Sequence, residues 1–375
     1  MEFSVYRFGD FCKMFAGGDA PKDYMLSRTK EKCYPVYSNG IENEGLYGYC
    51  DYYTMPGNTL TISARGTVGV VFYRSESFLP IVRLIALVVD EKIADTRYIY
   101  YLLKCGRIDG YGTSQQQITI PYLKKKRIQI ITSLDKQKKI ASILSVYDNL
   151  IEVNNKRIKV LEQMAESLYK EWFVRFRFPG HETAEFEHGI PKGWFAKTHK
   201  RPKNWHYGSL SELGMFVRGK NITSDEMIEG TIPVVSAGIE PSGFHNESNV
   251  QGKSITVSAS GANAGYLKYN LDDIWAADCS YLCDNEAFWF IYNALKYLQP
   301  VISNLQCGAA QPHVYPKHIN KLCIIIPERR FIEEYCRIVS PFYEEIGKLK
   351  KANDSLVKQR DYLLPRLMSG KLEVI

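Results

Sequence analysis

Ten positions spaced alternately four and three residues apart, from 140 to 172, carry Ile, Leu, Tyr, Ile, Asn, Ile, Leu, Ala, Leu and Trp. A second series, from 332 to 367, carries Ile, Tyr, Val, Phe, Ile, Leu, Asn, Leu, Arg, Leu and Leu at the same spacing. Both are heptad stripes and predict long helices. A heptad stripe serves either ordinary core packing or a discrete two-helix coiled coil. The polar residue in each, Asn154 and Asn353, favours the coiled coil, where it fixes register at a cost in stability. Tyr169, Trp172 and Phe173 exceed what one seam can bury, so they are expected on an outer face and predict poor solubility of the isolated chain.

The rest of the chain has a shorter period. Apolar or alternating runs at Leu60–Ser63, Gly69–Tyr73, Ile81–Val89, Ile128–Ile131, Ile255–Ser258 and Leu322–Ile326 read as strands between Gly- and Asn-rich turns. Small helices are expected at Thr96–Leu103 and Ala287–Leu298. Residues 178–204, with Pro179-Gly180 and Pro191-Lys192-Gly193, read as a linker.

These elements occur twice. Pro35-Val36-Tyr37-Ser38-Asn39-Gly40-Ile41-Glu42 returns as Pro233-Val234-Val235-Ser236-Ala237-Gly238-Ile239-Glu240. Leu60-Thr61-Ile62-Ser63-Ala64-Arg65-Gly66 returns as Ile255-Thr256-Val257-Ser258-Ala259-Ser260-Gly261, and Gly112 and Gln115 return as Gly308 and Gln311. Similar blocks in one order at nearly one offset identify a tandem repeat of a unit of about 196 residues.

The 375 residues are 45% hydrophobic and 24% charged, the composition of a folded protein with room for two domains. The first residues lack the order of a signal peptide, and the most apolar stretch, 79–89, is broken by Pro80 and Arg83. Secretion and membrane insertion are therefore not expected. Nine cysteines without a Cys-x-x-Cys predict reduced thiols in a cytoplasm, with Cys279 and Cys283 the nearest approach to a metal pattern. The net charge is +7, but residues 1–132 carry +4 (17 basic, 13 acidic) and residues 205–327 carry −4 (7 basic, 11 acidic).

Catalytic motifs are missing. Gly252-Lys253-Ser254 imitates the end of a phosphate-binding loop, but position 247 is Glu where that loop needs Gly, so a turn before a strand is expected. Asp90-Glu91-Lys92 ends like a metal-dependent nuclease motif without the preceding Pro-Asp pair. No Gly-x-Gly-x-x-Gly, amino-methyltransferase Asn-Pro-Pro-Tyr or His-Glu-x-x-His occurs. The sequence argues against an autonomous enzyme.

Five segments carry a family resemblance. Ala165-Glu166-Ser167-Leu168-Tyr169-Lys170-Glu171-Trp172-Phe173, followed by Phe176, resembles the end of the central conserved helix of type I restriction-modification specificity (S) subunits. Leu363-Leu364-Pro365-Arg366-Leu367-Met368-Ser369-Gly370-Lys371-Leu372 resembles the distal helix of that family, and Ile190-Pro191-Lys192-Gly193-Trp194 the approach to its second recognition domain. The segments Gly112–Ile118 and Gly308–Val314 are similar to the close of each recognition domain. The resemblance implies an α/β (α+β) fold of two mixed, β-rich target-recognition domains in tandem, each followed by a long helix. The two helices would form an antiparallel coiled coil with pseudo-two-fold symmetry. The domains implied are recognition domains at 1–132 and 205–327, helical regions at 133–178 and 328–375, and a linker at 179–204.

The function implied is non-catalytic reading of an asymmetric, bipartite site on double-stranded DNA. No cofactor would be bound by the chain itself. A pair of methyltransferase (M) subunits would use S-adenosylmethionine, and motor-nuclease (R) subunits would use ATP and Mg. A protein-binding coiled-coil adaptor and the specificity portion of a combined nuclease-methyltransferase are the alternatives. Base reading needs hydrogen-bonding side chains on exposed loops, and phosphate contacts need cations or backbone N–H groups. The candidates are Lys22, Arg28, Ser38, Asn39, Arg65, Thr67, Ser114, Gln115 and Gln116 in the first copy. In the second they are Arg218, Lys220, Ser236, Ser260, Asn263, Gln311 and His313. Gln115 and Gln311 recur and read as framework, whereas Arg65 faces Ser260 at the matched position, a difference suited to base choice. Lys124-Lys125-Lys126-Arg127 is either a phosphate patch or a solvated strand edge.

Overall fold

The computed structural model describes residues 2–106, 117–189, 200–305 and 312–374. The chain divides into two compact units, Met1–Val153 with Ala352–Ile375, and Asn154–Lys351. Two helices dominate: a central one, Leu134–Tyr169, and a distal one, Arg329–Met368. No position of either heptad stripe is exposed, because the stripes face the interior of each unit.

The repeat is visible strand by strand. In the first unit an antiparallel sheet runs Cys12–Ala16, Ile85–Val89, Thr59–Ile62, Val71–Arg74. In the second the same order runs Val217–Arg218, Cys279–Cys283, Ser254–Ser258, Leu267–Asn270. A three-stranded sheet, Leu46–Cys50, Tyr34–Tyr37, Leu79–Pro80, recurs as Gly243–His245, Ile232–Val235, Trp275–Ala276, each with one antiparallel and one parallel pair. The pairing of Phe3–Arg7 with Arg127–Ile131 recurs as His206–Ser209 with Cys323–Ile326.

The expected small helices are Thr96–Cys105 and Phe288–Tyr297. The first is capped by Asp95, whose side chain accepts from the Tyr98 N–H at 2.8 Å. It is amphipathic, whereas the second is buried at every position from Phe288 to Leu295, the polar Asn293 included.

Three expectations need correction. The run 81–89 is not one strand: Leu79–Pro80 ends in one sheet, Val82 and Arg83 turn with φ of +50° and +59°, and Ile85 starts a strand of the other. The segment 178–204 is not a plain linker, because Phe186–His188 pairs with Lys200–Pro202 in a small hairpin and Phe178 is buried against Trp205 at 4.6 Å between ring centroids. Tyr169, Trp172 and Phe173 do not lie on an outer face. They are 4%, 6% and 2% exposed in the second unit's core, around Phe290 and Tyr335. A single seam cannot bury three aromatics, but a domain seated on the helix end can, so these residues give no reason for the isolated chain to be poorly soluble.

Two glycines show how tightly the sheets join. A Cβ on Gly17 would lie 2.7 Å from the Pro80 carbonyl carbon, and one on Gly219 would lie 2.6 Å from the Ala276 carbonyl oxygen, the matched place in the second copy. Gly18, next in the chain, has open space at the same distance. Gly17→Ala and Gly219→Ala should each cost about 1–3 kcal/mol through forced backbone shifts. Gly18→Ala should be near neutral, and thermal melting of the three variants checks this.

Candidate nucleic-acid interface

In the first copy, the buried strand Thr59–Ile62 runs out at Ser63–Ala64 into a loop with Gly66 at φ +70° and Gly69 at φ +85°. Asn39 ties this loop to two others. Its side-chain oxygen accepts the Ala64 N–H at 2.8 Å, and its Nδ2 donates to the Val82 carbonyl at 2.6 Å. Its backbone carbonyl accepts from Ser63 Oγ at 3.3 Å and Thr67 Oγ1 at 3.1 Å. Loops 38–45, 63–69 and 80–84 therefore meet at one side chain.

Arg74 braces the first of these loops from inside. Its side chain is 1% exposed and donates to Thr61 Oγ1 at 3.0 Å and to the Glu44 carbonyl at 2.7 Å. The guanidinium lies 3.6 Å from the Tyr37 ring centroid, and burial pulls its pKa down. The turn it holds has Asn43, Glu44 and Gly45 at φ +47°, +55° and +78°. Non-glycine residues in that region cost on the order of 1–3 kcal/mol each and persist only where the surroundings hold them.

The second copy repeats the frame with other occupants. Ser258 Oγ donates to the Ala237 carbonyl at 2.9 Å, as Ser63 does to Asn39. Gly261 and Gly265 have φ of +73° and +86°. The Val314 N–H donates to the Ala259 carbonyl at 2.9 Å, matching Ile118 to Ala64 at 3.0 Å. The charges differ, however. Asp278 receives Arg218 on one carboxylate oxygen and Ser260 on the other. The Lys220 ammonium lies 5.9 Å from the Trp275 ring centroid, whose indole N–H donates to the Lys220 carbonyl at 2.9 Å.

The sequence candidates separate accordingly. Lys22 and Arg65 are exposed, and no described residue pairs with Arg65. Arg28 is exposed but bonded to Glu76 at 2.6 Å, which raises its pKa. Ser38 and Asn39 are half-buried and committed to local bonds, Ser38 through its N–H to the Gly45 carbonyl at 2.8 Å. Thr67 is exposed apart from its bond to Asn39. Ser236 and Asn263 are half-buried, and the Asn263 carbonyl closes a turn on Tyr266 at 2.9 Å. Ser260 bridges to His313, whose ring stacks on Tyr315 at 5.9 Å. Ser114, Gln115, Gln116 and Gln311 lie outside the described residues. Lys124 and Lys125 end the short helix Ile120–Lys125, where cations complement the helix dipole, and Arg127 begins the strand paired to Arg7.

Four residues escaped the sequence reading: Arg74, Arg83, Trp275 and Asp278. Aligning the copies carries a signal for two of them. Between matched strands the first copy has four residues, 81–84, and the second has two, 277–278. Among the described residues, no cluster of three His, Cys, Asp or Glu side chains is arranged to hold a metal. Cys279 is buried, which pushes its thiol up to about 12, while Cys283 is exposed four residues along the same strand.

Comparison with known proteins bears on what these loops are for. The sequence profile of the type I restriction modification DNA specificity domain matches residues 1–163 and again residues 202–356. The chain belongs to that family. The specificity subunit of the type I restriction enzyme MjaIX of Methanocaldococcus jannaschii is 26% identical, the alignment covering 96% of this chain and 89% of that protein. The putative specificity subunit S.MgeORF438P of Mycoplasma genitalium is also 26% identical, covering 95% and 92%. The crystal structure of an S subunit from M. genitalium shares the fold, with a TM-score of 0.67 over 98% of this chain and 96% of that one at 23% identity.

In this specificity-domain chain, one profile match falls on each copy of the loop frame, and Asn39 and Ala237 hold matched places because each accepts the same serine bond. Asn39→Ala would remove both the acceptor of the Ala64 N–H and the donor to Val82. We expect a loss of about 1–3 kcal/mol from the buried groups left unpaired. Hydrogen exchange at the Ala64 amide should accelerate, while the Ala259 amide, bonded elsewhere, keeps its protection.

Proposed function

We propose that the chain selects the DNA sequence acted on by a type I restriction-modification complex. Residues 1–132 and 205–327 each read one half of an asymmetric, bipartite site. Residues 133–178 and 328–375 supply the helical spacer, and 179–204, with its small hairpin, connects the copies. The observation that carries this reading is the duplicated loop frame: the backbone bonds recur, while the exposed side chains between them differ. Two readers on one scaffold with different side chains suit two different half-sites. The candidate DNA contacts are those named from the sequence, with Arg65 foremost for base choice and Ser38 and Asn39 as supports.

The chain supplies no chemistry of its own in this reading. M subunits would methylate with S-adenosylmethionine, and R subunits would use ATP and Mg. We place the complex in the cytoplasm; no described helix is long and apolar enough to cross a membrane. The central helix offers a face for partners. In the first unit Val146, Leu150 and Val153 are exposed at spacings of four and three, and in the second Val160 and Met164 are exposed four apart.

An antiparallel coiled coil is the finer part of the proposal. Within the second unit, Tyr335 Oη donates to the Ala165 carbonyl at 3.0 Å and Arg157 meets Glu345 at 3.0 Å, so one helix descends as the other rises. The helices are 36 and 40 residues long, about 54 and 60 Å at 1.5 Å per residue. Asn154 and Asn353, both half-buried, are assigned to register.

Exchange of residues 1–132 for the same region of a relative tests the two-reader proposal. Methylation maps of the complex should show a new first half-site and an unchanged second; simultaneous change of both would end it. Arg65→Ala should relax the first half-site alone, losing about 1–3 kcal/mol of discrimination if the guanidinium reads a guanine. Insertion of four residues near Asn154, about 6 Å of helix, should lengthen the spacer by one or two base pairs and leave base identities alone. An unchanged spacer would remove the helices as the ruler.

A further inference from the structure

Val82 and Arg83 are adjacent non-glycine residues with φ of +50° and +59°. A β-branched residue such as Val82 at positive φ is an outlier, and a second positive φ directly after it needs outside support as well. Four hydrogen bonds supply it. The Val82 N–H donates to the Gly18 carbonyl at 2.8 Å, the Arg83 N–H to the Gly17 carbonyl at 3.1 Å, and the Leu84 N–H to the Ile81 carbonyl at 3.0 Å. Asn39 Nδ2 holds the Val82 carbonyl at 2.6 Å. The result of this effort is an exposed turn, with Val82 55% exposed and Arg83 exposed beside it.

Core packing does not call for that arrangement. The second copy makes the same sheet-to-sheet crossing with two fewer residues, since Ala277 N–H to Val235 O at 2.8 Å repeats Ile81 N–H to Tyr37 O at 2.9 Å. Where the longer crossing displays Arg83, the shorter one has Asp278, which binds Arg218 and Ser260. No described acidic side chain pairs with Arg83. Its turn and the Arg65 loop are bonded to the same Asn39 side chain. Backbone held this firmly is what a side chain needs to meet a base edge in fixed geometry.

We propose that Arg83 is a second base-reading residue of the first recognition domain, acting beside Arg65 on a guanine of the first half-site. The proposal rests on the DNA-reading function above. An arginine fork donates two bonds to guanine O6 and N7, which lysine cannot imitate with the same bidentate geometry. A phosphate contact would be shared by all sequences and satisfied by either cation.

The test is methylation mapping of the complete complex with its M subunits, carrying wild-type chain, Arg83→Ala or Arg83→Lys. Both variants should lose preference at one base pair of the first half-site, roughly tenfold or more, with the second half-site unchanged. The melting temperature should hold, because Arg83 is exposed. An unaltered map would overturn the proposal. So would a uniform weakening rescued by lysine, which marks a phosphate contact, or a lowered melting temperature, which marks a structural residue. A wild-type complex without a bipartite site would instead bring down the DNA-reading function itself, and this proposal with it.

Discussion

In each copy, a single strand buried on both faces constrains everything around it. Every residue of Thr59–Ile62 and of Ser254–Ser258 is buried. Such a strand has to satisfy its side-chain oxygens without water, and it does so by fixed partners. Thr59 donates to the Pro56 carbonyl at 2.9 Å, Thr61 accepts from Arg74 at 3.0 Å, and Ser258 donates to the Ala237 carbonyl at 2.9 Å. A slip of one residue would reverse every side chain, so register is strongly specified. The point where the strand leaves the core is therefore fixed, and the loops that meet there inherit its position.

That constraint separates scaffold from surface. The glycine turns after the strand, the serine bond to the carbonyl of Asn39 or Ala237 and the late N–H donated to Ala64 or Ala259 are the same in both copies. The charged groups beside them are not. The first copy leaves Arg65 and Arg83 exposed, while the second draws Arg218 onto Asp278 and lays Lys220 near Trp275. The net acidity of residues 205–327 thus has a local counterpart: a cation at the strand exit is already paired. A paired cation attracts a polyanion less than a free one does.

The helices join the same economy of burial. Tyr335 and Tyr343 of the distal helix are buried in the second unit, each donating its hydroxyl hydrogen, to the Ala165 carbonyl at 3.0 Å and to Asn293 at 2.9 Å. Burial raises both phenol pKa values, so they remain neutral donors. In the first unit, Arg360 is the one charged residue of the two stripes, and Asp148 at 2.6 Å and Asp361 at 2.7 Å neutralise it. Asp148 also accepts from Tyr101 at 2.7 Å, so a charge in the seam is tied to the neighbouring small helix.

Local periodicity determined the parts that depend on neighbours in sequence. The heptad stripes, the two small helices, the strands 60–63 and 255–258 and the repeat itself were legible because their signals are backbone period and recurrence. The turn at Gly252 was legible for the same reason, and its φ is +68°. Tertiary structure alone decided which exposed-looking residues are exposed. Tyr169, Trp172 and Phe173 are buried because Phe290 and Tyr335, more than a hundred residues away in the chain, close over them. Asn39 became a keystone because its bonds run to Ala64 and Val82, 25 and 43 residues on. Arg83 was hidden in an apolar run whose period gives no sign of the left-handed turn that turns it outward. A side chain's partners are set by long-range contacts, and those exist only once the chain has folded.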